Sequence, residues 1–145
     1  MKNSGFLLEK CGEEISWGIL ASELKSIGSP QVREKPPKCE FFWENELVLG
    51  GLSAGVSAEL FGKQRLQEVR IYTYDEGLDS STEAHYNRIK SHMEKMYGPA
   101  SSTVKVDWAS LPTSNWHTKY FSFSLWVMDR FGEYCITDIS RPKKA

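Results

Sequence analysis

Cysteine is scarce: Cys11, Cys39 and Cys135 are the only three in 145 residues, and no two form a Cys-x-x-Cys pair. An odd, dispersed set gives neither zinc-ligand spacing nor a disulfide framework, and a free cysteine in a strand-like run behaves as a small hydrophobe. Long apolar runs are missing too. Nothing approaches the roughly 18 apolar residues of a membrane span, and Phe6-Leu7-Leu8 before Glu9 is too short for a signal-peptide core. Neither charge sign dominates, with 18 Lys and Arg against 19 Asp and Glu spread along the chain. Without a basic stripe there is no electrostatic footprint for nucleic acid, and Lys143-Lys144 reads as a solvated end. These absences describe a cytoplasmic protein with reduced thiols that binds neither nucleic acid nor membrane.

What is present is a faint internal echo. Trp17, Leu20, Leu24 and Ile27 recur as Tyr86, Ile89, Met93 and Met96, a constant 69 residues downstream. Both sets put apolar residues on one helix face, and both are stopped by Gly and Pro, at Gly28-Ser29-Pro30 and Gly98-Pro99. Helices are expected at roughly 17–27 and from the Ser80-Ser-Thr-Glu83 capping spacing to Pro99. Pro30 to Lys38 reads as a loop. Strand patterns follow each helix: Cys39 to Glu44, Leu47 to Leu49 beyond a Glu44-Asn45-Glu46 turn, Ala58 to Phe61 and Glu68 to Tyr74. After the second helix come Thr103 to Trp108, Lys119 to Met128 and Glu133 to Ile139, the last two joined by a turn at Asp129-Arg-Phe-Gly132. Strands that succeed one another through short turns predict an antiparallel sheet. The expected class is therefore α+β, one domain over 1–145, with two helices and a tandem α-β-β-β repeat in halves 15–78 and 79–141.

Chemistry-bearing patterns are few. Gly51-Leu52-Ser53-Ala54-Gly55 has the wording of a nucleophile elbow, with Asp75, Asp79 or Asp107 and then His117 in a suitable order for a serine hydrolase. Against it stand the missing upstream oxyanion glycines and the antiparallel pattern downstream, which favour a turn between strands. Val56-Ser57 stands where a phosphate loop needs Lys-Ser/Thr. His85 and His92 lie seven apart rather than at the i, i+4 spacing of helical metal pairs. The carboxylate pairs Glu13-Glu14, Glu44/Glu46 and Asp75-Glu76 read as solvated. Neither cofactor nor metal is expected.

Aromatics make up 12% of the chain. By alternation Phe42, Tyr72, Tyr74, Tyr120 and Trp126 fall opposite the apolar strand faces, where Tyr and Trp suit protein contacts. The candidate contact residues are Tyr72, Tyr74, Tyr120 and Trp126, with Arg70 as a charged anchor.

The helix-plus-strands repeat resembles small bacterial inhibitor and immunity proteins, notably the tandem-repeat architecture of the β-lactamase-inhibitor type. The Trp17-Gly18…Leu24-Lys-Ser-Ile27-Gly28-Ser-Pro30 segment is also similar to the helix opening of BamE-like lipoprotein domains. The departures are a missing lipobox and the lack of a cysteine pair around each repeat. The resemblance implies a non-catalytic protein, kept in the cytosol of a toxin-producing bacterium, that occludes a cognate toxin. A small serine hydrolase using Ser53 is the alternative.

Overall fold

A computed structural model describes residues 5–74, 81–107, 109–129 and 133–141. Asp75, Glu76, Asp79, Ser80, Trp108, Arg130 to Gly132 and Lys143-Lys144 lie outside the described residues. The chain is α+β: a small hairpin of β1 (Gly5–Leu8) and β2 (Glu13–Ser16), two helices, and one antiparallel eight-stranded sheet. Helix α1 (Ala21–Leu24) leads into β3 (Gln31–Lys35), β4 (Lys38–Val48), β5 (Leu52–Phe61) and β6 (Glu68–Thr73). Helix α2 (Thr82–Tyr97) leads into β7 (Ser102–Val104), β8 (Thr113–His117), β9 (Ser122–Asp129) and β10 (Glu133–Ser140). Each helix is thus followed by four strands, not three.

The sheet order β3-β4-β5-β6-β10-β9-β8-β7 sets the final strands of the two series side by side. Val56 faces Ile71 across β5 and β6, Leu125 faces Thr137 across β9 and β10, and Ile71 faces Thr137 where β6 meets β10. Val56 and Leu125 keep the 69-residue offset of the helical echo. The two series of four strands thus run outward in opposite order from the Ile71–Thr137 pair.

Alternation builds the core face. Val69 and Ile71, Phe121, Phe123, Leu125 and Val127, and Ala54, Val56, Ala58 and Leu60 are all buried on it. Helix α2 covers the β9–β10 part with Tyr86, Ile89 and Met93. Burying each such side chain contributes about 1.5–3 kcal/mol before entropy is counted. The β1–β2 hairpin, Trp17 and Leu24 join the same apolar cluster.

Several expectations are corrected. The first helix is only four residues long, because Gly18 adopts φ +85° and Leu20 stays extended with no side-chain cap. Trp17 and Leu24 are buried all the same, anchored from a loop and a single helical turn. The expected loop after Pro30 is edge strand β3, whose five residues are all exposed and so carry no apolar alternation to read. The expected turn at Glu44-Asn45-Glu46 is a bulge inside β4, where the register shifts between Trp43 and Glu46. Glu46 is buried there, accepting the Lys10 and Leu47 amides at 2.8 and 3.1 Å. The α2 cap is Ser81, whose Oγ accepts from Ala84 N at 3.1 Å, one residue later than the capping-box spacing places it. The expected strand Lys119–Met128 starts only at Ser122. Thr118 to Phe121 form a turn in which the Thr118 hydroxyl bonds the Phe121 carbonyl and accepts the amides of Tyr120 and Phe121.

Candidate functional site

Among the described residues, most side chains on the face opposite the core are half-buried or exposed. Strand register carries one row of residues across all eight strands: Gln31, Phe42, Ser57, Arg70, Asp138, Ser124, Asn115 and Ser102. In the middle of the row Arg70 grips Asp138, Nε to Oδ1 at 2.7 Å and Nη2 to Oδ2 at 3.4 Å. Asp138 Oδ2 also accepts from Trp126 Nε1 at 2.9 Å, and the Arg70 guanidinium lies 5.4 Å from the centroid of that indole. The Asp138 hydrogen bonds raise the Arg70 pKa further above its already high value. Farther along, Ser124 Oγ donates to Asn115 Oδ1 at 2.6 Å and Asn115 Nδ2 to Ser102 Oγ at 3.3 Å.

Aromatic rings flank this row. Tyr72, half-buried, stands opposite Gly55 and 6.4 Å from the Tyr134 ring, and Ile136 is fully buried beside Trp126 although it belongs to the outer face. Gly55 has no room for a side chain: a Cβ there would meet Phe42 Cζ at 2.7 Å and the Tyr74 hydroxyl at 3.0 Å. Its lack of a side chain lets both rings lie across the sheet. The Tyr74 hydroxyl donates to the Glu44 carbonyl, and its loss of water and the Glu44 charge raise its pKa.

Of the five expected contact residues, Arg70, Tyr72, Tyr74 and Trp126 therefore share one face. Tyr120 does not. It sits in the β8–β9 turn, with Lys119 Nζ 5.6 Å from its ring centroid. Sequence reasoning missed Asp138 and Tyr134, although the buried alternation of Cys135, Thr137 and Ile139 places residues 134, 136 and 138 opposite. That Asp138 would meet Arg70 depends on register, which alternation alone does not set.

The Gly51–Gly55 segment is no strand-to-helix elbow. Gly51 closes the β4–β5 hairpin and Ser53, Gly55 and Ser57 lie along β5. His117 ends β8, four strand steps from β5, or roughly 19 Å at the usual spacing. Its Nδ1 instead lies 3.1 Å from Ser122 Oγ. His92 Nε2 bonds the Leu49 carbonyl at 2.7 Å. Among the described residues no group of three or more His, Cys, Asp or Glu gathers as metal ligands, and no helix is long and apolar enough to cross a membrane. Compared with protein-family models, curated proteins and solved structures, the chain has no significant match, so the functional reading rests on its own surface.

Proposed function

We propose that this chain is a non-catalytic cytoplasmic protein whose outer sheet face binds another protein, in the manner of a bacterial immunity protein that neutralises a cognate toxin. One observation carries the reading. A single face of the sheet presents Phe42, Tyr72, Tyr74, Trp126 and Tyr134, each half-buried or exposed, around an Arg70–Asp138 pair already locked in place. Tyr, Trp and Arg are the residues on which interface energies concentrate, and their cost of ordering falls when neighbours already hold them. The inhibitor role adds to this the resemblance of the helix-plus-strands order to small inhibitor proteins, which is an analogy of architecture.

The test is affinity capture from native cytosol with the wild-type chain and a Tyr72→Ala/Trp126→Ala variant of verified fold. The expected result is one stoichiometric partner kept by the wild type and lost by the variant. That partner, expressed alone, should be toxic, and co-expression of the chain should relieve the toxicity. Equal retention by the variant would overturn the choice of face, and a harmless partner would overturn the inhibitor role.

A further inference from the structure

The sheet ends in two unlike edges. β7 is three residues long and uncharged, whereas β3 runs for five residues, every one of them exposed. Pairing on one side only leaves alternate N–H and C=O groups of an edge strand pointing outward. Among the described residues the backbone of Gln31 to Lys35 pairs with β4 and with no other element.

The charges of β3 are divided by face. Arg33 stands opposite Glu40 and Lys35 opposite Lys38 on the outer face, while Val32 and Glu34 lie on the core side. Glu34 is answered by Lys25 Nζ at 2.7 Å. Glu40 is answered by Lys38 Nζ at 2.7 Å, and the same ammonium reaches Glu59. Arg33 and Lys35 bear on Glu40 at longer range and form no ion pair among the described residues. The charges this edge has left over are therefore both positive, both on one face and two residues apart. A second copy is a poor match for them. Full-length self-pairing, centred on Arg33, would set Arg33 against Arg33, and like charges directly opposite are destabilising. Pro30 and Pro36-Pro37 stand at either end of the run, and without N–H groups they keep the pairing short.

We propose that β3 receives an extended acidic segment of the partner protein as a ninth, antiparallel strand, with carboxylates at alternate positions opposite Arg33 and Lys35. Alternate residues of a strand share a face, so two acidic side chains separated by one residue meet both cations at once. An apolar side chain between the acidic positions and the strand end falls opposite Val32, which is 41% exposed. In such strand addition the main-chain bonds supply attachment and the alternating side chains choose the segment. The added strand would continue the row that starts at Gln31 and runs through Phe42 and Ser57 to Arg70. An open hollow of about 560 Å³, lined in part by Gln31, Arg33, Phe42 and Tyr72, joins this edge to the aromatic face.

The inference rests on the protein-binding reading, and its test separates the two. The blocked peptide Ac-Thr-Glu-Thr-Glu-Val-Thr-NH2 and its Lys-for-Glu counterpart are titrated into the ¹⁵N-labelled full chain and followed by amide shifts. The acidic peptide should give saturable shifts centred on Gln31 to Lys35, about fivefold weaker in Arg33→Gln/Lys35→Gln, where two exposed ion pairs are lost. Those shifts should persist in Trp126→Ala. N-methylation of the acidic peptide tests the backbone directly on the wild-type chain: methyl groups on one alternate set of amides should abolish binding and on the other set should leave it. Equal shifts with the lysine peptide, equal behaviour of the two methylated forms, or no saturable shift at all would overturn strand addition while leaving partner capture intact. Peptide binding without any captured partner would overturn the outer-face reading and keep the edge.

Discussion

Arg70 and Trp126 are joined through one carboxylate: the guanidinium stacks 5.4 Å from the indole centroid while both side chains donate to Asp138. Removing that acceptor takes away a hydrogen bond from each of two half-buried donors. Asp138→Ala should therefore lower unfolding stability by about 1–3 kcal/mol, measured by urea titration. Asp138→Asn should recover part of the loss, since one oxygen remains. Arg70→Lys should not restore the geometry, because an ammonium lacks the fork that meets both carboxylate oxygens.

Thr137, paired with Ile71, is 1% exposed and its hydroxyl has no hydrogen-bond partner among the described residues. Valine has the same shape without the hydroxyl. Thr137→Val should raise stability by about 1 kcal/mol, seen as a higher urea midpoint at unchanged slope.

Ser81 supplies the side-chain oxygen at the start of α2. Ser81→Ala should cost about 1 kcal/mol, and Ser81→Asp should not, because aspartate caps equally well and complements the helix dipole.

The pH dependence has a definite sign. Glu68 carries a raised pKa in the folded chain, so its protonated form is favoured there relative to the unfolded chain at 4.5. Its contribution to stability is present below about that value and is lost as pH rises through the raised one. Glu40 behaves in the opposite way: the Lys38 hydrogen bond lowers its pKa, so its contribution is present above 4.5 and lost as pH falls through the lowered value. Denaturation of the wild type and Glu68→Gln at pH 4 and pH 7 should show the variant gaining relative to the wild type as pH rises. The opposite trend would mean that Glu68 is well compensated.

The parts legible in the sequence are those with one wet and one dry face. Val69 and Ile71, and Phe121 to Val127, alternate in the sequence and are buried as that alternation requires. β3 is illegible because an exposed edge strand can be polar on both sides, and Arg33-Glu34-Lys35 beside two prolines has the composition of a loop. The short α1 misleads for another reason. Trp17, Leu24 and Ile27 keep helical spacing, but Gly18 turns the chain there and Trp43 Nε1 bonds the Ile27 carbonyl at 2.8 Å, so tertiary contacts replace helical ones. Of the outer face, Phe42, Arg70, Tyr72, Tyr74 and Trp126 are visible from alternation. Its organising contact, Arg70 with Asp138, joins positions 68 residues apart and follows from register alone.

The strands on either side of the Ile71–Thr137 pair carry two unlike surfaces. On one side Lys38 bridges Glu40 and Glu59 beside the exposed Phe61; on the other runs the Ser124–Asn115–Ser102 ladder of small polar groups. A body laid across the sheet meets different chemistry when turned end for end, so its two orientations are not interchangeable.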